Sequence, residues 1–315
     1  MLKNDMAISV TGLEKSYKNL KVLKGIQFSI KKGSIFALLG SNGAGKTTAI
    51  KILTTLIKPD KGSVQICGYD ILRQSNEVRG VISLTGQFAA VDEIMTGREN
   101  LRMIGKLRHL SEVNNRVDEL LKRFDLLEAS DRRVATYSGG MRRRLDLAMS
   151  LLGKPSVIFL DEPTTGLDPQ SRLSMWKIIK DLTQSGITVF LTTQYLDEAD
   201  QLADHIAILN EGKIVAEGTS AELKKLLPHG HIELKFYNDT GLKAAGELLQ
   251  EYGCSSDKQN TTLSVATDGS LKQITDILNK LEKQGIPVAE FSQKQATLED
   301  VFLTIIGENK EKEAI

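Results

Sequence analysis

Segments 7–10 and 21–30 alternate apolar and polar residues, the two-residue period of half-buried strands. The run Ser34–Leu39 is apolar after its first residue and predicts a short strand. A glycine-rich loop follows, and Lys46–Ile57 then predicts a helix stopped by Pro59. Strand-like runs recur at Val64–Cys67, Val81–Leu84, Val157–Leu160 and Ile187–Thr192. The last two are continuous apolar runs, as in parallel strands covered on both faces.

From 96 to 152 the period changes. Val117, Leu120, Leu121 and Phe124 recur at three- and four-residue spacing, which predicts helices. The stretch, about 92–152 in all, reads either as a helical insert in an α/β core or as an extra covering layer of helices. After Pro228-His229-Gly230 the pattern restarts, and those turn-forming residues mark a domain boundary. His231–Tyr237 predicts a strand, Leu242–Tyr252 a helix, Thr261–Ala266 a strand, Leu271–Gln284 a helix, Ile286–Phe291 a strand and Thr297–Ile306 a helix. A further strand near Cys254–Lys258 would make this α+β module ferredoxin-like. The charged tail Glu308–Ile315 reads as frayed.

A length of 315 residues suits one large domain and a small one, and 41% hydrophobic residues supply a sizeable core. Charge adds a restriction. Lys and Arg number 41 against 40 Asp and Glu, a net +1, so no broad nucleic-acid or membrane-binding surface is implied. Cys67 and Cys254 are far apart and describe no disulfide framework, which fits a reducing cytoplasm. No apolar run approaches the ~18 residues of a membrane span, and the first ten residues lack the apolar stretch of a signal peptide. A membrane task would therefore need another chain.

Gly40-Ser41-Asn42-Gly43-Ala44-Gly45-Lys46-Thr47 fits the phosphate-loop spacing G-x-x-x-x-G-K-[ST], with a strand before it and a helix after. Its glycines let backbone N–H groups, through Thr48, point at phosphate oxygens, and the helix N-terminus adds the positive end of a dipole. Lys46 can reach the β- and γ-phosphates of ATP, and the Thr47 hydroxyl can ligate Mg2+. The run Val157–Leu160 ends in Asp161 and Glu162. At the C-terminal edge of a strand Asp161 can hold Mg2+, directly or through water. Glu162 is the candidate to polarise an attacking water. Such a pair alone could merely cap a strand; a phosphate loop upstream turns the reading towards catalysis.

Tyr137-Ser138-Gly139-Gly140-Met141 resembles the signature of ABC ATPases, usually LSGGQ. Other motifs of that family match in the expected order over about residues 7–227: Gln87 resembles the Q-loop, Gly166-Leu167-Asp168 the D-loop, and Tyr17 the aromatic residue under adenine. Gly86–Glu93, Thr96–Leu101, Thr192–Asp200 and Gln295–Phe302 are similar to the daunorubicin/doxorubicin-resistance branch. That branch supplies ATPase subunits to drug and lipid-like exporters and works with a separate integral-membrane permease.

The resemblance implies an α/β fold: a P-loop NTPase core with an antiparallel β subdomain and helical insert over 1–228, then a small C-terminal α+β module over 229–315. It implies a homodimer that sandwiches two Mg-ATP. Each site would combine the phosphate loop of one chain with Ser138, Gly139 and Gly140 of the other. Gln87 would sense Mg2+ and the γ-phosphate, and Asp168 would communicate across the interface. Most ABC relatives in general carry a histidine after the strand at Ile187–Thr192; Gln194 stands there instead, and the resemblance to the drug-resistance branch implies that glutamine is usual in that branch. Glutamine can hydrogen-bond to the γ-phosphate and to water but carries no proton charge near neutrality. Of His109, His205, His229 and His231 none offers a substitute, and His205 reads as a structural residue at a helix end.

Phe88–Asp92 reads as the place where a cytoplasmic helix of the permease docks, or as an ordinary loop. The run Arg142-Arg143-Arg144 reads as a solvated helix face. The C-terminal module reads equally as regulatory or as a support for the dimer. The chain is expected in the cytoplasm, peripheral on the inner face of the membrane, with no nucleic-acid partner. Relatives that act on nucleic acid generally join two ATPase units or insert long coiled coils, and this chain has one phosphate loop. Export of drugs, lipids, polysaccharide or lantibiotic-like peptides all suits such a motor.

Overall fold

The computed structural model describes residues 5–226, 231–257, 260–294 and 297–313. The Pro228–Gly230 boundary with His229, Lys258, Gln295–Ala296 and residues 314–315 lie outside these. The chain divides into two compact units, Met1–Ser220 and Ala221–Ile315.

In the first unit the chain forms β1 (Met6–Tyr17), β2 (Leu20–Lys31), β3 (Ile35–Leu39), α1 (Lys46–Leu53), β4 (Lys61–Ile66), β5 (Tyr69–Asp70), α2 (Ser75–Val81) and β6 (Ile82–Thr85). Next come α3 (Gly97–Leu107), α4 (Val113–Arg123), α5 (Gly139–Ser150), β7 (Val157–Asp161), α6 (Pro169–Gln184) and β8 (Thr188–Thr193). The unit closes with α7 (Leu196–Leu202), β9 (His205–Asn210) and β10 (Lys213–Gly218), and α8 (Ser220–Lys224) begins at the division.

One sheet, β2-β1-β4-β5, is antiparallel. The other has the order β10-β9-β3-β8-β7-β6, parallel from β9 to β6 with β10 antiparallel at its edge. Every residue of β3, β7 and β8 is buried. A strand covered on both faces has no polar side to present, hence the unbroken apolar runs. Phe28 of β2 stacks on Phe36 of β3 with ring centroids 5.0 Å apart, and Phe190 of β8 lies 5.5 Å from Phe36. Rings from both sheets thus close one core, at the centroid spacings that aromatic pairs favour.

The strand order decides where the motifs meet. β3, β8, β7 and β6 are successive parallel neighbours, so the loops after all four leave from one edge. The helices α3, α4 and α5 all fall in the single connection between the neighbours β6 and β7, as an insert does. Within it Val117, Leu120, Leu121 and Phe124 are fully buried. Thr96 and Glu99 form a capping box at the start of α3. Buried Asn100 accepts the Asp92 N–H at 2.8 Å and donates to the Asp92 carbonyl at 2.9 Å, which fixes the entry to the insert.

Several boundaries differ from the sequence reading. α1 stops at Leu53, well short of Pro59: the Thr54 hydroxyl donates to the Ile50 carbonyl at 2.7 Å and Thr55 adopts a left-handed φ of 62°. α6, β9 and β10 were not singled out by patterning. His205 is not at a helix end; it opens β9, stacks on Phe36 at 6.0 Å, and its Nε2 lies 3.0 Å from Glu217 Oε1.

The second unit runs β11 (His231–Phe236), α9 (Asp239–Leu248), β12 (Cys254–Asp257), β13 (Thr262–Ala266), α10 (Leu271–Lys283), β14 (Val288–Lys294) and α11 (Leu298–Glu313). Its sheet has the order β12-β13-β11-β14 and is antiparallel throughout, the β-α-β-β-α-β ferredoxin-like arrangement. Alternate residues of β11, Ile232, Leu234 and Phe236, are buried with Ile274, Ile277 and Leu281 of α10 in a core of its own. α9 starts before Leu242 because the Asn238 side chain accepts the Gly241 N–H at 2.9 Å. β14 starts at Val288, after Pro287, which has no N–H for a ladder. α11 continues to Glu313 where a frayed tail was expected; Glu and Lys are good helix formers. Among the described residues no helix is long and apolar enough to cross a membrane.

Candidate functional site

The loop after β3 has a backbone that only glycine tolerates well. Gly43 has φ 83° and Gly45 φ 113°, and a Cβ on Gly45 would lie 2.8 Å from Leu23 Cδ2. Gly45 is also the N-cap of α1 and offers no side chain to cap it, so the first N–H groups of the helix are left for an anion. Ser41, Asn42 and Thr47 are exposed, Thr48 is half-buried, and Ala44 is packed into the core.

Lys46 is the first residue of α1 and is 5% exposed. Its ammonium donates to the Gly40 carbonyl at 2.8 Å and the Ser41 carbonyl at 3.1 Å, and Glu162 Oε1 lies 3.4 Å away. A cation this buried persists only when paired and hydrogen-bonded, and here the loop itself supplies the acceptors. Glu162 follows the last residue of β7 and has a left-handed φ of 49°, unusual for a residue with a Cβ. That turn aims its carboxylate along the sheet edge, where it accepts from Gln87 Nε2 at 3.5 Å and from the Thr165 hydroxyl at 3.3 Å. Asp161 is buried and accepts the Thr192 hydroxyl of β8 at 2.5 Å. The Glu162 N–H in turn donates to Thr192, and the Gly40 N–H donates to the Thr193 carbonyl at 3.2 Å. Gln194 is the residue directly after β8, half-buried. Lys46, Gln87, Asp161 and Glu162 are thus linked in one cluster, with Gln194 emerging beside it.

Ser138, Gly139, Gly140 and Asp168 belong to a second group. Ser138 N-caps α5 by accepting the Met141 N–H at 3.2 Å. Asp168 N-caps α6, accepting the Ser171 N–H at 2.9 Å and its hydroxyl at 2.6 Å; those bonds hold its carboxyl below the ordinary range. A Cβ on Gly140 would run into the Ser171 side chain, so only glycine lets the two helix starts approach this closely. Tyr17 ends β1 with its ring 46% exposed and Lys15 Nζ 5.7 Å from the ring centroid. No described hydrogen bond or ion pair joins Tyr17, Ser138–Gly140 or Asp168 to the Lys46 cluster.

Arg143 corrects the reading of residues 142–144 as a solvated face. It is 5% exposed, and its guanidinium donates to the carbonyls of Pro163, Gly86 and Asp161. Asp146 Oδ2 lies 3.5 Å from it. Burial pulls the Arg143 guanidinium down, opposed by Asp146, Asp161 and Glu198. Arg142 pairs with Glu93 at 2.6 Å, and Arg144 donates to the Phe124 carbonyl at 3.1 Å. Sequence reasoning also passed over Glu198. It is fully buried on α7, accepts from the Thr164 hydroxyl at 2.7 Å and Trp176 Nε1 at 3.2 Å, and burial pushes its carboxyl up. Charged residues at helix-face positions otherwise held by apolar ones were the available signal.

The side chains suit a nucleotide with Mg2+. Free N–H groups at a glycine loop and a buried ammonium suit phosphate. The Thr47 hydroxyl, the Gln87 amide oxygen and the Asp161 carboxylate are oxygen ligands, the kind a hard cation takes. Among the described residues no group of three His, Cys, Asp or Glu could hold a metal unaided.

Residues 23–165 match the ABC transporter family, and residues 218–306 match the family described as ATP-binding protein DrrA1-3-like, C-terminal domain. The chain is 43% identical to the daunorubicin resistance ATP-binding protein DrrA3 of Streptomyces coeruleorubidus, over 97% of this chain and 98% of that one. It is 44% identical to the daunorubicin/doxorubicin resistance ATP-binding protein DrrA of Streptomyces peucetius, over 96% and 92%. Among solved structures it is similar to an ATP-binding cassette in a dimeric post-hydrolysis state bound to ADP and Pi. There the TM-score is 0.61 and the identity 25%, over 67% of this chain and 98% of the other.

Proposed function

The chain belongs to the ATP-binding proteins of ABC transporters, in the daunorubicin/doxorubicin-resistance branch, and from that premise we propose that it hydrolyses Mg-ATP as half of a homodimer and powers a separate membrane permease. The cargo is a drug or a lipid-like, amphipathic molecule moved outwards, which the resistance names of its relatives support. On this reading the chain is a cytoplasmic subunit held at the inner face of the membrane by its permease.

The observation that carries the proposal is the meeting of Lys46, Gln87, Asp161 and Glu162 at one edge of the parallel sheet. The N–H groups of residues 41–48 and the Lys46 ammonium bind the phosphates. Thr47, Gln87 and Asp161 would hold Mg2+, which would supply neutralisation of phosphate charge. Glu162 orients and polarises the attacking water, and Gln194, just past the end of the neighbouring strand β8, donates to the γ-phosphate. Tyr17 stacks under the adenine. Ser138, Gly139 and Gly140 close over the nucleotide of the partner chain, with Asp168 beside them at the interface. The likeness to a dimer bound to ADP and Pi supports that arrangement. Closure on ATP and reopening after hydrolysis require ATP to bind the closed dimer better than the open one.

Glu162→Gln tests this directly. The variant should bind ATP as the wild type does, lose turnover by about a hundredfold or more, and remain a dimer in ATP and Mg2+ by light scattering. A variant that stays monomeric at saturating ATP would remove the sandwich from the proposal. Gentle purification from native membranes tests the permease: a polytopic protein should accompany the chain and raise its ATPase rate.

A further inference from the structure

One side chain joins the signature helix to both loops that carry the candidate catalytic pair. Arg143 lies in α5, the helix that Ser138 caps. Its Nε donates to the Pro163 carbonyl at 2.9 Å, its Nη1 to the Gly86 carbonyl, and its Nη2 to the Asp161 carbonyl at 3.3 Å. Gly86 immediately precedes Gln87, while Asp161 and Pro163 flank Glu162. Each nitrogen of the fork therefore holds one backbone point beside Gln87 or Glu162. Asp146, one turn further along α5, faces the same guanidinium at 3.5 Å.

A buried guanidinium costs more than an apolar side chain of equal size unless its hydrogen bonds are made. A lysine would concentrate its donors on one atom and could not span three carbonyls from two loops. The Gln87 Nε2 to Glu162 Oε2 distance is 3.5 Å, the long limit of a hydrogen bond, so a small displacement of either loop makes or breaks it.

We propose that Arg143 is a positioning residue for hydrolysis, which holds Gln87 and Glu162 in register and makes that register follow the position of α5. When Ser138–Gly140 engage the nucleotide of the partner chain, α5 moves, and Arg143 passes the shift to the catalytic pair of its own chain. The two sites of the dimer are thereby coupled through one guanidinium in each chain. The inference rests on the reading of the site given under Proposed function and adds the coupling to it.

The test uses full-length Arg143→Lys and Arg143→Met. ATP affinity is measured without Mg2+, and steady-state hydrolysis is followed against ATP concentration, per active site. Affinity should stay within about twofold of the wild type while kcat falls about tenfold or more, the size expected when a catalytic group is misplaced. The Hill coefficient should fall from above one towards one. Guanidinium ion at millimolar concentration should restore part of the turnover of Arg143→Ala. A purely structural arginine would lower the thermal midpoint and the yield of active protein, yet leave kcat per active site and the Hill coefficient within twofold; that result overturns the proposal. If the single variants do not fold, Arg143→Met with Asp146→Leu removes both buried charges and carries the same readouts. Undiminished hydrolysis by Glu162→Gln would instead fault the reading of the site itself, whatever the Arg143 variants do.

Discussion

Burial pushes the Asp146 carboxyl up from 3.8 to about 6, against the pull of the Arg143 guanidinium and the Ala90 N–H. An acid whose folded value lies above its unfolded one contributes stability in full below the unfolded value, and that contribution is lost as pH rises through the folded value. The relevant window for Asp146 therefore runs from about 4 up to about 6 and a little beyond. Asp168 works the other way: Ser171 holds it down, so its contribution is present above the ordinary carboxylate range and lost in acid. Asp146→Asn keeps a neutral side chain at every pH. The stability of the wild type relative to this variant should rise by about 1 kcal/mol between pH 7 and pH 5. Urea unfolding at both pH values measures it, and parallel pH profiles for the two proteins would sink the assignment. The buried pair was partly legible in the sequence. Gly140, Arg143 and Leu147 recur at helical spacing on the face that is buried, and Asp146 stands three residues after Arg143. Three successive arginines suggest solvent because most arginines are exposed, and only the packing of α5 decides which of them is not.

At the scale of elements, the entry to the helical insert explains why a tyrosine precedes Ser138. The Tyr137 hydroxyl donates to the Ala129 carbonyl at 2.7 Å, and its ring is buried. Gly97, the first residue of α3, leaves room for that hydroxyl; a Cβ there would overlap it. Gly97→Ala should therefore destabilise the protein by about 1–3 kcal/mol, the usual cost of overpacking. Tyr137→Phe removes the clashing atom, so the double variant should lose less than the sum of the singles. Additive losses in thermal unfolding would mean that the two residues do not meet. The reading of 96–152 as mostly helical agrees with α3, α4 and α5, the periodic residues Val117, Leu120 and Leu121 lying in α4. Periodicity overran α1, whose apolar spacing continues to Ile57 although the helix ends at Leu53. Termination there depends on the Thr54 hydroxyl and the left-handed Thr55, which carry no hydrophobic signal.

At the scale of the whole molecule, each unit has its own core: the Phe28, Phe36, Phe159 and Phe190 cluster in the first, and the β11, β13 and α10 residues in the second. A chain ended after Leu226 should fold and bind ATP with an affinity within about twofold of the full chain, since each unit has a core of its own. Circular dichroism and nucleotide titration check this, and loss of binding would show that the second unit is needed to form the site. The amino-acid sequence by itself determined the chemistry on offer: a glycine loop with Lys46, an acidic strand end at Asp161 and Glu162, the Ser138-Gly139-Gly140 helix start, and Gln194 after an apolar strand. It also determined most helices and strands. These are properties of short stretches, expressed through local periodicity and local backbone preference. The tertiary structure alone decided that β3, β8, β7 and β6 stand side by side, so that four distant loops share one edge, and that Arg143 binds two of them. Strand order arises from pairing between segments far apart in the chain, and a buried side chain is chosen by what packs over it; neither leaves a periodic trace in the residues themselves.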